Sequence, residues 1–262
     1  MTVVLVTVDG LRPDALQLVD TPHLDRLVAR GASSMTARSV MPSMTLPAHF
    51  SAFYSLDPTR HGVLDNDRRP PKQPVQGLFE AVHRHGRSAG MVFSWEPLRH
   101  LAPAGSLRFA HFERLDLADL PAADHPAVDV AVPLIEQEQF ELLFVYLGAA
   151  DETGHAHGWM TEEYLRQVEI SDGHLGRLAA AMRPDDVMLV QSDHGGHDRG
   201  HGTDCAEDMT IPWLLSGAGI RRGVQLSAPI SLIDTAPTLA ALLGIEAPDG
   251  WEGRIITEAL ER

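Results

Sequence analysis

The sequence contains one cysteine, Cys205, so no disulfide can form within the chain. A single thiol fits a reducing compartment. The sequence has no uninterrupted apolar run of about 18 residues, so no transmembrane helix is predicted. We recognise no secretory signal ahead of the first predicted strand, Val3–Val8. We therefore expect a cytoplasmic protein that has no membrane partner.

Basic residues are also scarce, with 21 Lys and Arg against 36 Asp and Glu and a formal net charge of −15. Such a surface repels duplex nucleic acid, which we do not expect as a partner. All but one of the basic residues are Arg, whose planar guanidinium suits phosphate or carboxylate. With 44% hydrophobic residues, the 262-residue chain can form one substantial core. Composition and charge do not indicate an oligomeric state.

Apolar runs typical of buried strands alternate with amphipathic patterns typical of helices. The alternation predicts an α/β fold, a three-layer α/β/α sandwich with a mostly parallel central sheet. We expect one domain over residues 1–262, with a small cap or insertion at about 96–125, where the periodicity is weak. The main predicted strands are Val3–Val8, 88–94, 140–147, Val187–Gln191 and 211–215, and the main predicted helices are Pro22–Arg30, 48–55, 75–85, 126–139, 161–182 and 232–243.

Three of the predicted strands are followed closely by a carboxylate, namely Asp9, Asp151 and Asp193. Because sites form at the carboxyl ends of parallel strands, these side chains should meet at one edge of the sheet. His194 follows Asp193 directly, and we expect a loop to return His155 to Asp151. Taken alone, Asp9 is more typical of a turn cap, Asp193 fits an N-cap beside a surface histidine, and Asp151 fits a polar loop. The three together indicate a metal centre, and two ions. Such ligands suit zinc, with manganese or iron as alternatives.

A candidate nucleophile, Thr45, lies between two prolines in a segment predicted to be a loop ahead of a helix. The backbone N–H groups at a helix N-terminus would stabilise an anion. A metal would lower the pKa of the Thr45 hydroxyl enough for nucleophilic attack at neutral pH. The residue pattern does not distinguish Thr45 from Ser43, nor a nucleophile from an N-cap. Further histidines lie near the metal segments, namely His157, His197 and His201.

These segments resemble the alkaline phosphatase superfamily, most closely its nucleotide pyrophosphatase/phosphodiesterase branch. The resemblance is strongest at Thr45-Leu46-Pro47-Ala48-His49 and at His61-Gly62-Val63-Leu64-Asp65-Asn66, although the family usually has Asn where this chain has Ala48. The resemblance implies an alkaline-phosphatase-like α/β fold.

The resemblance also implies two divalent metal ions and a ligand set for each. Thr45 would be the nucleophile, and Asn66 would donate to a phosphate oxygen. His157 and His197 match no family role, and we expect them to support the ligands or to face solvent. Only seven positions separate His194 from His201, where larger members carry a substrate-binding insertion, so nucleotide specificity stays open. One ion would be held by Asp151, His155 and His201, and the other by Asp9, Asp193, His194 and Thr45.

The implied activity is hydrolysis of a phosphodiester or pyrophosphate bond in a small phosphate- or phosphonate-containing substrate, through a covalent phospho-enzyme on Thr45. The alternatives are phosphonoacetate-hydrolase-like cleavage of a C–P bond, a phosphomonoesterase or phosphomutase, and a metal-binding protein without catalysis. A sulfatase is disfavoured because the Cys/Ser-x-Pro-x-Arg signature is not found around Thr45. Arg68, Arg69 and Arg99 are candidates for binding an anionic leaving group, or are solvated surface charges.

Overall fold

The computed structural model describes residues 1–67, 75–137 and 140–261. Within these ranges the strands form one sheet in the order β4-β3-β5-β1-β6-β7-β2-β8. Seven of the described strands run in the same direction and β7 runs against them, which confirms the mostly parallel sheet. The strands are β1 (Val3–Val8), β2 (Gly31–Arg38), β3 (Ala89–Phe93), β4 (Phe109–Phe112), β5 (Leu142–Leu147), β6 (Val187–Gln191), β7 (Thr210–Gly217) and β8 (Val224–Gln225).

Helices cover both faces of this sheet, which confirms the three-layer arrangement. Helices α2, α4 and α9 pack on one face, and α1, α5 and α7 pack on the other. The α-helices of the described chain are α1 (Pro22–Arg30), α2 (Thr45–Tyr54), α3 (Pro58–His61), α4 (Leu78–Arg84), α5 (His125–Glu136), α6 (Ala149–His157), α7 (Glu162–Ala181), α8 (Ala206–Met209) and α9 (Thr235–Leu242).

The strand β1 shows why its sequence is apolar at every position. Val3 and Leu5 contact the core on one face of the sheet, and Val4 and Val6 contact the core on the other. Side chains alternate between the faces of a strand, so a strand covered on both sides needs apolar residues throughout. Burying each such side chain contributes roughly 1.5–3 kcal/mol.

The strand β2 was not predicted, because its sequence Gly-Ala-Ser-Ser-Met-Thr-Ala-Arg is small and polar. It nevertheless pairs with β7 on one side and with β8 on the other. A side chain on Gly31 would approach the carbonyl oxygen of Leu215 to 2.1 Å, so close backbone contact requires a small residue there. Tertiary pairing therefore outweighs the low strand propensity of this segment.

Two segments predicted as loops are helical. Residues 149–157 form helix α6, so His155 lies one turn beyond Asp151 and is not brought back by a loop. Helix α2 begins at Thr45, three residues earlier than predicted, and includes Pro47 in its first turn. Proline fits there because the first N–H groups of a helix have no partner within the helix.

Other boundaries shift by a few residues. The predicted helix over 232–243 is a 3-10 helix, Leu232–Asp234, followed by α9. Residues 96–125, where a cap or insertion is predicted, contain a 3-10 helix, Glu96–Leu101, and the strand β4, which pairs with β3. No helix in the described ranges is both long enough and apolar enough to cross a membrane.

Candidate active site

The order of the sheet brings the three strand-end carboxylates together. The strands β5, β1 and β6 are neighbours, and their carboxyl ends lead to Asp151, Asp9 and Asp193. The turn after β1 is tight, since Gly10 has φ +69° and a Cβ there would lie 3.0 Å from Cα of Asp151. A glycine at this position lets the end of β1 contact helix α6 directly.

Asp9 and Asp193 each have one oxygen bound and the other free of hydrogen bonds. The Tyr146 hydroxyl donates to Oδ2 of Asp9, and the N–H of Gly10 donates to Oδ1 of Asp193 at 3.3 Å. Oδ1 of Asp9 and Oδ2 of Asp193 are buried and have no hydrogen-bond partner within the described residues. These two oxygens lie 3.2 Å and 3.4 Å from Nε2 of His194.

A second group of candidate metal-binding atoms surrounds Asp151. Its Oδ2 lies 3.4 Å from Nε2 of His155, and its Oδ1 lies 3.6 Å from Nε2 of His201. The rings of His194 and His201 are stacked with centroids 3.8 Å apart, so the two groups adjoin. The ligand atoms of Asp151, His194 and His201 lie within 4.8 Å of one another, as do those of Asp9, Asp193 and His194.

The three histidines of these groups are oriented in the same way. Nδ1 of His155 donates to the carbonyl of Arg199 at 3.0 Å, and Nδ1 of His201 donates to the carbonyl of Ser43 at 2.9 Å. Nδ1 of His194 likewise donates to the carbonyl of Gly195 at 2.8 Å. Since a carbonyl only accepts, each neutral ring presents a lone pair on Nε2. Lone pairs of nitrogen and carboxylate oxygen that face one another suit a cation between them.

The electrostatics of the site also favour a bound cation. Burial, together with the charge of Asp151, raises the pKa of Asp9 to about 6. Burial and the charge of Asp9 raise the pKa of Asp193 well above its usual range. Burial also acts to raise the pKa of Asp151, but the hydrogen bond to His155 and the nearby histidines outweigh it, so the pKa is lowered. Divalent cations would offset this buried negative charge, so the residues present fit metal ions.

Thr45 lies beside the first of these groups. Its Oγ1 is 3.3 Å from Nε2 of His194, and the residue is 4% exposed at the start of α2. The backbone N–H of Leu46, in the first turn of the same helix, donates to Oδ1 of Asn66 at 2.9 Å. The structure therefore brings Thr45 and Asn66 to one helix N-terminus, where an anion is favoured.

Sequence reasoning missed residues that hold the site in place. Tyr146 donates to Asp9, as described above. The one sequence feature that could have indicated this role is a hydroxyl group near the end of the otherwise apolar strand β5. His49 donates from Nδ1 to the carbonyl of Thr45 at 2.8 Å and is 1% exposed.

Asp124 accepts hydrogen bonds from Gly148 at 2.9 Å and Ala149 at 3.2 Å at the start of α6. Nothing local in the sequence marks Asp124 as a cap for a helix so distant in the chain.

Other candidate residues lie apart from these groups. His157 is exposed at the end of α6, and Arg99 pairs with Glu96 at 2.7 Å. His197 belongs to neither group, and its Nδ1 donates to Oδ1 of Asp208 at 2.7 Å. Arg68 and Arg69 lie outside the described residues.

Two family models match this chain. The model for type I phosphodiesterase / nucleotide pyrophosphatase matches residues 3–96, and the model for the metalloenzyme superfamily matches residues 120–247. Among curated proteins, the catalytic subunit of the mouse (Mus musculus) GPI ethanolamine phosphate transferase 3 is 26% identical over 164 residues. That match covers 61% of this chain and 15% of the transferase, so the chain aligns with only a small part of that relative.

Solved structures show the same fold. Murine ectonucleotide pyrophosphatase / phosphodiesterase 5 in complex with AMP has a TM-score of 0.83 at 16% identity, with both chains covered fully. A phosphonate monoester hydrolase from Silicibacter pomeroyi has a TM-score of 0.79 at 16% identity and covers 100% of this chain and 77% of its own. Sulfatases and phosphopentomutases are among the further matches. The chain belongs to the alkaline phosphatase superfamily of metal-dependent enzymes that act on phosphoryl and sulfuryl groups, in its nucleotide pyrophosphatase/phosphodiesterase-like branch.

Proposed function

We propose that this protein is a two-metal hydrolase of phosphodiester or pyrophosphate bonds in a small substrate, with Thr45 as the nucleophile. The observation that carries this proposal is the 3.3 Å separation between Oγ1 of Thr45 and Nε2 of His194. The same nitrogen faces the unpartnered oxygens of Asp9 and Asp193. A hydroxyl at the centre of a ligand set serves no purpose in metal storage, whereas a nucleophile needs that position.

The residues divide into two ligand sets. Both sets combine imidazole with carboxylate, which suits zinc, with manganese and iron as alternatives. Bound divalent ions would lower the pKa of the Thr45 hydroxyl and offset charge on the substrate phosphate. Asp9, Asp193, His194 and Thr45 would hold one ion, and Asp151, His155 and His201 would hold the other.

The chain's own groups position the reaction. The hydrogen bond from His49 to the carbonyl of Thr45 fixes the backbone of the nucleophile. The bond from Leu46 to Oδ1 of Asn66 directs the NH₂ group of Asn66 away from the helix, where it would donate to a phosphate oxygen. In the first step the bond between Oγ1 of Thr45 and phosphorus forms as the bond from phosphorus to the leaving oxygen breaks. Water then attacks phosphorus, breaks the bond to Oγ1 and restores the Thr45 hydroxyl.

A second candidate reaction is hydrolysis of a phosphonate. It is favoured by the fold shared with a phosphonate monoester hydrolase, whose overlap covers the whole of this chain, because that scaffold carries a site for a phosphonate phosphorus. The bond that a monoester hydrolase breaks is itself a P–O bond. The proposed ligand sets and Thr45 suit attack on phosphorus in either substrate. The two reactions differ in the bond that breaks, which leads to oxygen in a diester and to carbon in phosphonoacetate.

A substrate screen tests the proposal. The purified protein, loaded in turn with zinc, manganese or iron, is assayed with a phosphodiester, a dinucleotide pyrophosphate, a phosphomonoester, phosphonoacetate and a sulfate ester. We expect the highest kcat/KM with the diester or the pyrophosphate. Preference for phosphonoacetate would support the second candidate, and preference for the sulfate ester would contradict both.

Variants of Thr45 test the nucleophile. We expect Thr45→Ala to lose at least about 1000-fold in kcat while it still binds metal, since the group that forms the covalent bond is gone. Thr36→Ala is a matched control, because Thr36 is exposed on β2 and its hydroxyl lies 3.4 Å from the hydroxyl of Ser34. Mass spectrometry of acid-quenched protein should find the substrate phosphoryl group on the peptide that contains Thr45. A full rate in Thr45→Ala would refute the covalent step.

A further inference from the structure

Three side chains with different metal-binding atoms meet in the loop between β6 and β7, outside both ligand sets described above. Sγ of Cys205 lies 3.6 Å from Nδ1 of His197, and the same nitrogen lies 2.7 Å from Oδ1 of Asp208. All three ligand atoms lie within 4.8 Å of one another. Bonds of about 2.3 Å to sulfur and about 2.0 Å to nitrogen and oxygen place the ligands of one tetrahedral ion roughly 3–4 Å apart. The three atoms therefore need to move only slightly to share an ion.

The carboxylate of Asp208 is held in place for this role. Its Oδ2 accepts hydrogen bonds from the N–H of Thr203 at 2.9 Å and from the Thr203 hydroxyl at 2.8 Å. Asp208 is fully buried, and Oδ1 is directed at His197. A ligand whose second oxygen is fixed by hydrogen bonds loses little freedom when it binds a metal.

The cluster is open to solvent at His197 and Cys205. The side chain of His197 is 41% exposed, and Cys205 is half-buried. An ion can therefore enter from water, and a water molecule can complete the coordination. A thiolate and a carboxylate together carry two negative charges, which a divalent ion neutralises.

We propose that His197, Cys205 and Asp208 form a separate site for a thiophilic divalent transition-metal ion such as Zn²⁺. On binding, the thiol loses its proton, and the ring of His197 carries its proton on Nε2 in place of Nδ1. The loop from His197 to Asp208 includes His201, whose Nε2 faces Asp151. An ion at this site ties together the two ends of the loop that supplies a ligand to the candidate active site.

Cobalt substitution provides the test, because Cys205 is the one cysteine in the chain. The ligand sets of the candidate active site contain no sulfur, so a thiolate-to-cobalt charge-transfer band in the near ultraviolet can come only from this cluster. The metal-free full-length protein is titrated with Co²⁺. We expect the wild type to develop this band and to bind one more equivalent of Co²⁺ than Cys205→Ser.

The His197→Gln variant should weaken the binding of cobalt that is followed at this band by about 10- to 100-fold. The matched control is His111→Gln, since His111 is partly exposed on β4, and this variant should keep the band at full affinity. Lack of the band in the wild type at saturating cobalt, or equal stoichiometry in wild type and Cys205→Ser, would overturn the proposal. Either result would leave His197 and Asp208 as an ordinary hydrogen-bonded pair.

A measurement on the wild type alone guards against variants that fail to fold. Zinc at ten times its Kd for the cluster should slow alkylation of Cys205 by iodoacetamide about tenfold, because only the metal-free fraction reacts. An unchanged rate would refute the site. Neither readout depends on turnover, so failure of the proposed hydrolase activity and failure of this site can be distinguished.

Discussion

The backbone N–H of Leu46 donates a hydrogen bond to Oδ1 of Asn66 at 2.9 Å. A backbone N–H is always a donor, so the contact identifies which end of the carboxamide faces the helix. The NH₂ group must then point away from Leu46. Asn66 is the one asparagine in the chain, so no other asparagine can supply this NH₂ donor.

The Asn66→Asp variant separates the two functions proposed for this side chain, which are to accept a hydrogen bond from Leu46 and to donate one to the substrate phosphate. An aspartate still accepts from Leu46, but it has no N–H to donate and repels an anionic substrate. We expect kcat/KM to fall by about 100- to 1000-fold, as for other lost donors to a developing charge. Thermal unfolding and metal content should match the wild type. A loss of metal or an early unfolding transition would show that Asn66 is needed for structure.

The Tyr146→Phe variant tests how Asp9 is held. Tyr146 donates to Oδ2 of Asp9, and burial raises the pKa of the Tyr146 hydroxyl well above its usual range, so it stays a donor. Loss of such a supporting hydrogen bond should weaken metal binding about 10- to 100-fold. Activity should return when excess metal is added.

A matched tyrosine variant controls for the lost hydroxyl. Tyr54 is also buried, but its hydroxyl donates to the carbonyl of Leu101 at 3.4 Å, away from the ligand sets. Metal affinity, measured by competition with a chelator, should therefore be unchanged in Tyr54→Phe. Equal losses in the two variants would contradict a specific role for Tyr146.

The Gly10→Ala variant tests the close contact between the end of β1 and helix α6. A Cβ on Gly10 would lie 3.0 Å from Cα and 3.1 Å from Oδ1 of Asp151. Gly86 has φ +70°, almost the same as the +69° of Gly10, but a Cβ there meets nothing within 4 Å. Both substitutions should cost about 1–2 kcal/mol of unfolding free energy from the left-handed backbone.

Only Gly10→Ala should also displace Asp151 and lower the affinity for metal. Urea unfolding measures the backbone cost shared by the two variants, and zinc titration measures the cost specific to Gly10. Wild-type zinc affinity in Gly10→Ala would mean that the contact does not position Asp151.

Metal affinity should depend on pH through His155. The hydrogen bond to Asp151 is the main cause that raises the pKa of His155 to about 9. Below that pH the metal-free ring holds a proton that a metal must displace, so affinity should rise with pH. One displaced proton corresponds to roughly tenfold in Kd per pH unit.

The measurement is zinc affinity between about pH 7 and about pH 8.5, above the pKa of about 6 of Asp9. The His155→Asn variant should bind zinc more weakly and with a flatter dependence on pH in this range. An equally steep dependence in the variant would assign the proton to another group.

Much of the architecture could be predicted because two-sided burial leaves a strong pattern. The strand Val3–Val8 and the helix Pro22–Arg30 have the predicted bounds. The strand β2 could not be predicted, since its small polar residues pair with strands that are distant in sequence. Helix α6 could not be predicted because its polar residues Asp151, Glu152 and His155 interrupt any apolar pattern, and its start is stabilised by Asp124 from another segment.

Asp9, Asp151 and Asp193 could be identified from the sequence alone. Each closely follows an apolar run that must be buried, and an ionised group is costly in such a place. The sequence also supplied the family motif around Thr45 and Asn66. Only the folded chain decided which groups face one another. His201 and His197 are four residues apart, yet one faces Asp151 and the other donates to Asp208.

That difference depends on hydrogen bonds to partners far away in the sequence. The carbonyl of Ser43 orients the ring of His201, and the hydroxyl of Tyr146 orients Asp9. Such partners leave no local pattern, because they are brought together by the order of strands in the sheet. The sequence therefore determined which carboxylate and imidazole side chains are available, and the tertiary structure determined their grouping and direction.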